Sequence, residues 1–261
     1  MSGDARIEQL SGNGELRLAE DASLYVTRQA QGTYRMPEVS GQSAPITLPK
    51  DSAITITNQN GEAITYAVPA ILVSGGDLAS ASFVDMEEAF AAIAADTQTD
   101  AVYTITLLDD VQLEETLVLP NTAIVLDGAQ HTIREAADGS TIDVTKALTI
   151  RNAQLELSDS VIHYAPISGT KDRWIRLEET VSGSLKEILD DSQRGYLDIS
   201  LYPSVQVERV VGTSRSSGSR LTDLILNGYQ DTADLPEIVN MAAVELAGCT
   251  LTISGDQSNL G

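Results

Sequence analysis

The sequence is poor in cysteine, in aromatic residues and in basic residues. Cys249 is the only cysteine among 261 residues, which excludes an intrachain disulfide and a zinc site built from several cysteines. Phenylalanine, tryptophan and tyrosine together make up 4% of the chain, so the core must consist mainly of aliphatic side chains. The 16 lysines and arginines face 38 acidic residues, which gives a formal charge of −22. Because nucleic acids and anionic membranes are bound largely through basic residues, this charge argues against both as partners.

Long apolar segments and an export signal are also lacking. No run of about 18 apolar residues occurs, so no transmembrane helix is predicted. The first residues, MSGDARIEQL, do not have the charged and then apolar pattern of a secretory signal. We therefore expect either a cytosolic protein or an excerpt from a longer exported chain. The 42% of hydrophobic residues are spread along the whole chain and predict a folded protein.

A short motif recurs along the chain and predicts its fold. The motif occupies residues 124–133, 148–157 and 244–253, and its first half recurs at 224–228. In each full copy, alternating apolar residues lead to a glycine or asparagine, and the alternation then resumes in the opposite phase. Glycine and asparagine tolerate positive φ, so each copy is predicted to form a strand, a sharp bend and a second strand. The first two copies, and likewise the last two, begin about one solenoid coil apart. This spacing indicates a parallel β-helix with an interior of stacked aliphatic side chains.

One helix is predicted immediately before the first copy of the motif. Residues 85–95 (DMEEAFAAIAA) place apolar side chains at helical spacing, and Asp85 forms an N-terminal capping pair with Glu88. The apolar face of this helix needs a partner, and the open end of a coil stack exposes apolar side chains and unpaired backbone. We therefore expect an amphipathic helix that caps the stack.

The remaining segments define the expected domain boundaries. Residues 1–78 alternate like strands between turn residues and predict a smaller β-rich segment or domain, or earlier coils, before the β-helix at 79–261. Residues 168–195 and 212–219 depart from the motif, so we expect insertions there. Within the first insertion, the sequence suggests a short helix with Ser184 as its N-cap.

Residues 83–157 resemble a known family. The helix at 85–95, the segment TITLLDDVQLEETLVLPNTAIVLDGAQHTI and the segment KALTIRNAQLEL are similar to the opening of pectin-lyase-like right-handed β-helix domains of bacterial surface and secreted proteins. The resemblance implies an all-β fold, a right-handed parallel β-helix, in an extracellular or cell-surface setting. The family contains polysaccharide lyases and hydrolases together with adhesin-like stalks that have no known catalysis.

Four adjacent acidic pairs are the first candidates for catalytic carboxylates. Adjacent side chains on a strand point to opposite faces, so such a pair does not converge on one substrate, and solvated charge in turns is expected instead. The Gly-His-Gly and Arg-Ile-Lys tripeptides of the similar polygalacturonases do not occur in the sequence. The four pairs are Asp109–Asp110, Glu114–Glu115, Glu178–Glu179 and Asp190–Asp191.

The repeat itself supplies a better candidate for a reactive pair. Alignment of its first two copies stacks Asp127 beneath Arg151 on the outer face. Pectate lyases, which belong to the family that this sequence resembles, use an exposed arginine near acidic calcium ligands, so these two residues are the candidates for catalysis if the protein is an enzyme. A structural ion pair between neighbouring coils is the expected outcome.

Metal ligands are few. With two histidines and one cysteine, no cofactor is expected, and Ca²⁺ is the one metal ion left open by the acidic composition. The candidate ligands are Asp190, Asp191 and the segment 254–256, although no 12-residue loop with alternating oxygen ligands is present.

Four further side chains carry separate expectations. His131 aligns with an inward leucine of the next copy and is expected to be a buried, hydrogen-bonded core residue, whereas His163 has no assigned partner. Cys249 occupies a column of small residues and is expected to be buried and unreactive. Trp174 is the only tryptophan and the candidate for carbohydrate stacking.

The sequence thus predicts a non-catalytic β-helical module of a bacterial cell-surface or secreted protein. It would act as a rigid spacer or as a platform for carbohydrate or protein, without binding nucleic acid or entering a membrane. The alternative is a polysaccharide lyase or glycoside hydrolase that acts on an acidic polysaccharide. A cytosolic or phage-related β-helix is a third hypothesis, because no export signal is visible.

Overall fold

The computed structural model describes residues 5–19, 22–50, 52–96, 101–166, 173–192, 196–213 and 221–250. The fold is a β-solenoid of about 10 turns in which parallel strands stack into sheets. Strands account for 56% and helices for 6% of these described residues. No helix within the described ranges is long and apolar enough to cross a membrane. The all-β solenoid predicted from the repeat is therefore confirmed.

The chain divides into two units, residues 1–72 with 80–89 and residues 73–79 with 90–261. The first strands in chain order are β1 Ala5–Glu15, β2 Leu24–Arg35, β3 Ser43–Thr47, β4 Ala53–Thr57, β5 Thr65–Ala67, β6 Ile71–Gly75 and β7 Leu78–Phe83, followed by helix α1 Met86–Ala95. The next strands are β8 Val102–Leu107, β9 Val111–Gln112, β10 Thr116–Val118, β11 Ala123–Asp127, β12 Thr132–Arg134, β13 Thr141–Val144, β14 Ala147–Arg151 and β15 Gln154–Tyr164. The last are β16 Trp174–Leu177, β17 Ser182–Asp190, β18 Leu197–Leu201, β19 Val205–Val211, β20 Thr222–Asn227, the 3₁₀ helix η1 Thr232–Asp234, β21 Glu237–Val239 and β22 Ala243–Ala247.

The first unit is also built from stacked parallel strands. β1 pairs with β2, β2 pairs with β3 and β4, and β3 pairs with β5, all in parallel. Their inward side chains form an aliphatic core that includes Val26, Ile46, Leu48, Ile56 and Ile64. The strand-like alternation predicted for residues 1–78 therefore corresponds to solenoid-like pairing.

The predicted helix is present as α1. The Asp85 carboxylate accepts a hydrogen bond from the Glu88 backbone N–H at 2.8 Å. The Glu88 carboxylate in turn accepts one from the Val84 N–H at 3.3 Å, so the two side chains satisfy backbone donors at the helix start. Its role as a cap of the stack stays a prediction.

Two parallel sheets run through the second unit. The first sheet contains β8, β11, β14, β16, β18, β20 and β22 in this order, and the second sheet stacks β9, β10, β12, β13, β15, β17, β19 and β21. Aliphatic columns line the interior because equivalent residues of successive coils lie opposite each other. One column of the first sheet contains Tyr103, Ile124, Leu148, Ile175, Ile199, Leu224 and Val244, and one of the second sheet contains Leu117, Ile142, Ile162, Ile188, Val210 and Ile238. In the first of these columns Tyr103 is the aromatic member, and Val244, on the last described strand, is exposed rather than interior.

These columns hold the stack together. Ile162, Ile175, Ile188 and Ile199 are fully buried. Burying one such side chain contributes about 1.5–3 kcal/mol, so a few coils supply enough apolar contact to fix their register. The interior is mainly aliphatic, although Tyr103, Tyr164 and Tyr229 are also fully buried.

The predicted insertion at 168–195 is not an insertion in its described part. Residues 174–177 form β16 between β14 and β18 in the first sheet, and residues 182–190 form β17 between β15 and β19 in the second. The helix predicted from Ser184 is therefore wrong. Of the segment 212–219, residues 214–219 lie outside the described residues.

The false helical signal in β17 has a geometric cause. Leu185 and Ile188 are both buried and are three residues apart, which imitates helical spacing. Between Leu185 and Ile188, the alternation of buried and exposed side chains on β17 changes phase. At this point β15 has two more residues than β17. A corner in the solenoid, with a bulge in the neighbouring strand, therefore produces a spacing that a sequence pattern assigns to a helix.

Candidate functional site

Asp127 and Arg151 form the ion pair that the repeat predicts. Both end their strands, β11 and β14, and lie opposite each other in a register of five paired residues. Arg151 Nε donates to Asp127 Oδ2 at 2.9 Å, and the Asp127 side chain is 17% exposed. The pairing is thus confirmed.

The surroundings of Asp127 occupy both of its oxygens. Oδ1 accepts hydrogen bonds from the Asn152 side-chain amide at 3.0 Å and from the Ala129 N–H at 3.1 Å. Burial opposes ionisation of this carboxyl, but the hydrogen bonds from Asn152, Ala129 and Arg151 outweigh it and lower its pKa. An ionised carboxylate with three donors ties one coil to the next and closes the turn that follows β11.

Trp174 lies on the same sheet as this pair, at the other end of the strands. It pairs with Ala147, which is four residues before Arg151 on β14, a separation of about 13 Å along the strand. Its indole N–H donates to Thr149 Oγ1 at 3.1 Å, and the Arg176 guanidinium lies 4.8 Å from the centre of the ring. The register therefore separates Trp174 from the Asp127–Arg151 pair, and its polar and aromatic groups contact neighbours on the sheet.

Asp190 and Asp191 do not converge on a common point. Asp190 is 1% exposed, and its oxygens accept hydrogen bonds from Ser192 at 2.7 Å and from Thr222 at 2.7 Å. Asp191 is mostly exposed and contacts His163 Nε2 at 3.0 Å. In the described residues, no group of three or more histidine, cysteine or acidic side chains is placed to hold a metal ion. The candidate segment 254–256 lies outside the described residues.

His131 is not the buried core residue that was expected. Its side chain is 33% exposed and its Nδ1 lies 3.5 Å from Asp110 Oδ1. Ile133, not His131, lies opposite Leu155. The alignment is shifted by two residues, because four residues separate β11 from β12 whereas two separate β14 from β15. In the longer turn Ala129 and Gln130 have positive φ, and in the shorter turn Asn152 does.

Cys249 is partly buried rather than fully buried. Its thiol lies 3.2 Å from the carbonyl oxygen of Leu226. Leu251 and Ile253, the last apolar residues of the third motif copy, lie outside the described residues. The lack of reactivity expected of this thiol stays a prediction.

Three ionic ladders on the second sheet were not anticipated from the sequence. Each places one basic residue between acidic residues of the coils before and after it. The contacts within the ladders measure 2.8–3.4 Å. The ladders are Asp110–Arg134–Glu156, Asp143–His163–Asp191 and Glu187–Arg209–Glu237. Their only signal in the sequence is the register, which depends on the length of every intervening turn.

A polar groove lies on the outer surface of the second sheet. It has a volume of 380 Å³ and crosses β15, β17 and β19 at the corner of the coils. Ser184 and Gln206 lie opposite each other on its floor, and η1 contributes one wall. Lys186 Nζ is 4.0 Å from Asp159 Oδ1 at the rim. Its polar lining consists of Ser158, Ser184, Lys186, Gln206, Glu208 and Asp234.

The groove combines hydroxyl, amide, ammonium and carboxylate groups on a fixed backbone. Each strand is hydrogen-bonded to its neighbours, so successive coils present their side chains about 4.8 Å apart along the stack. Such an arrangement can donate and accept several hydrogen bonds along an elongated, polyhydroxylated ligand. The groove was not predicted, because η1 follows no repeat pattern and the corner interrupts the strand alternation.

Comparisons with known proteins identified no relative. No protein-family model, no curated protein and no solved structure matches the sequence. The parallel β-solenoid is established by the strand pairing.

Proposed function

We propose that the chain is a non-catalytic β-solenoid module of a bacterial secreted or cell-surface protein. Its coils form a rigid spacer, and the polar groove over β15, β17 and β19 binds a carbohydrate chain. The resemblance of residues 83–157 to pectin-lyase-like domains supports the extracellular setting.

The observation that carries the proposal is the groove across three consecutive coils. Its volume of 380 Å³ is within the range of small-ligand sites, about 300–1,000 Å³. Ser184 and Gln206 offer uncharged donors and acceptors side by side, while Lys186 and Glu208 lie at equivalent positions of neighbouring strands. Hydroxyl, amide and charged groups of this kind can form several hydrogen bonds with a saccharide, and a saccharide chain laid across the strands meets serine and lysine on β17 and glutamine and glutamate on β19.

Rigidity is supported by the lateral bonds of the stack. Within the described residues, the coils from β8 to β21 share strand pairing with their neighbours in two sheets, and ionic ladders such as Glu187–Arg209–Glu237 join three coils on the surface. Continuous columns and pairing in two sheets oppose bending of the stack, as a spacer requires.

A glycan array probed with the full chain tests the binding proposal. We expect retention on a subset of oligosaccharides, and calorimetry with one of them should give a dissociation constant that the Ser184→Ala/Gln206→Ala double variant raises about tenfold. The estimate assumes loss of two hydrogen bonds worth about 0.5–1.5 kcal/mol each.

A matched control is Gln112→Ala, which makes the same amide-to-methyl change on β9, outside the groove. It should leave the dissociation constant unchanged. The binding proposal is wrong if no glycan is retained, or if the double variant binds as well as the original chain. Formation of unsaturated uronide from acidic polysaccharide by the unmodified chain would contradict a non-catalytic role.

A further inference from the structure

His163 joins three consecutive coils through one imidazole ring. It lies on β15 directly opposite Asp143 of β13, and its Nδ1 is 2.8 Å from Asp143 Oδ1. Its Nε2 is 3.0 Å from Oδ1 of Asp191, which follows β17. The side chains of His163 and Asp143 are about three-quarters buried, whereas that of Asp191 is 67% exposed. Both ring nitrogens therefore face a carboxylate, one on each side in the stack.

This geometry requires a specific protonation state. An ionised carboxylate accepts hydrogen bonds and donates none, so both ring nitrogens must be donors to satisfy both contacts. Only the imidazolium form has two N–H groups. A neutral His163 would keep one hydrogen bond and set a lone pair against the second carboxylate, which is repulsive.

The charged groups around His163 favour the same state. Asp143 of β13 and Asp191 at the end of β17 face His163. Glu187 of β17 is paired with Arg209 in the adjacent ladder. The Asp190 carboxylate is buried and bonded to hydroxyl groups. Desolvation opposes protonation, but the hydrogen bonds and charges of Asp191 and Asp143 outweigh it and raise the pKa of His163.

We propose that His163 is a pH-dependent clamp, which when protonated ties the coils of β13, β15 and β17 together through Asp143 and Asp191. Loss of its proton releases one of the two contacts and weakens the stack at this position. The clamp is independent of carbohydrate binding in the groove and can be tested without a ligand.

The direction of the pH effect follows from proton linkage. A group whose pKa is higher in the folded than in the unfolded chain stabilises the fold fully below its unfolded value, about 6.5 for histidine. That stabilisation is lost as the pH rises through the folded value. The clamp is therefore closed in mildly acidic medium and open in alkaline medium.

The direct test is an NMR titration of the His163 ring in the full chain. We expect a pKa above about 6.5, and Asp143→Asn should lower it because one carboxylate is lost. A value at or below 6.5 in the unmodified chain overturns the proposal. This measurement requires no change at His163 itself and remains informative if a variant folds poorly.

The stability test compares His163→Gln with the unmodified chain. At pH 5 we expect the melting temperature of His163→Gln to be about 2–4 °C below that of the unmodified chain. At pH 9 the difference should nearly vanish, because His163 of the unmodified chain has then lost its proton. His131→Gln is the matched control, since His131 faces one carboxylate at 3.5 Å, and its effect should be smaller. An equal loss for His163→Gln at both pH values would show that the ring acts by packing alone.

Discussion

Arg151 donates its Nε hydrogen to Asp127 Oδ2 at 2.9 Å, from the equivalent position of the following coil. The two side chains differ in burial and in hydrogen bonding. Asp127 is 17% exposed and accepts from three donors, whereas Arg151 is 40% exposed. The acidic partner is therefore more deeply embedded in the turn than the basic one. This asymmetry predicts different costs for removing either side chain.

Replacing Asp127 should destabilise the chain more than replacing Arg151. Asp127→Ala leaves the Asn152 amide and the Ala129 N–H without their acceptor, so we expect a loss of about 1–2 kcal/mol in the free energy of unfolding. Arg151→Ala removes one partly exposed ion pair and should cost about 0.5 kcal/mol. Urea denaturation at pH 7 measures both, with the exposed Asp198→Ala as a control expected to be near neutral. A larger loss for Arg151→Ala would contradict the assignment.

The contribution of Asp127 to the stability of the fold should decrease at acidic pH. Its pKa is lowered in the fold, so its stabilisation is present above the unfolded value of about 3.9 and is lost as the pH falls through the folded value. We expect the stability gap between the unmodified chain and Asp127→Asn to be constant from pH 7 to 5. It should then shrink toward pH 2. A gap that stays constant down to pH 2 would show that ionisation of Asp127 does not matter.

The Asp127–Arg151 pair could be predicted from sequence because β11 and β14 have the same alternation of apolar residues and the same length up to the bend. His131 could not be placed by the same alignment, since its turn is two residues longer than that of the next coil and Ile133 therefore lies opposite Leu155. Alternation thus identifies inward residues within a strand. Turn length, which sequence pattern defines poorly, decides which residue of the next coil lies opposite.

The ionic ladders and the groove were beyond sequence analysis for the same reason. Glu187, Arg209 and Glu237 are separated by more than 20 residues, and only the finished stack makes them neighbours. The groove further depends on η1 and on the bulge in β15, and neither has a repeating signature. Fold class follows from repeated local patterns, whereas a surface site depends on the irregular segments between them.

Thr222 should prove essential to the buried polar contact inside the solenoid. It is fully buried, donates to Asp190 Oδ2 at 2.7 Å and accepts from the Thr213 N–H at 3.0 Å. Thr222→Val keeps the shape but leaves both partners unsatisfied, so we expect a loss of about 2–3 kcal/mol in the free energy of unfolding. Thr222→Ser retains the hydroxyl and should lose less. Equal losses for the two variants would show that the methyl group, and not the hydrogen bonds, is what Thr222 contributes.

Gly183 should not tolerate any side chain, because two coils approach each other closely at this residue. It has φ +101°, and a Cβ atom at this position would lie 2.0 Å from the carbonyl oxygen of Leu155, its register partner on β15. Since that oxygen belongs to the backbone, the strands would have to separate, and Gly183→Ala should cost about 3 kcal/mol or more. Gly41→Ala is the control, because a methyl group on Gly41 would have no atom within 4 Å, and it should be near neutral. Thermal and urea denaturation of both variants measure the difference in stability. A Gly183→Ala variant as stable as Gly41→Ala would mean that β15 and β17 do not pair as closely as described.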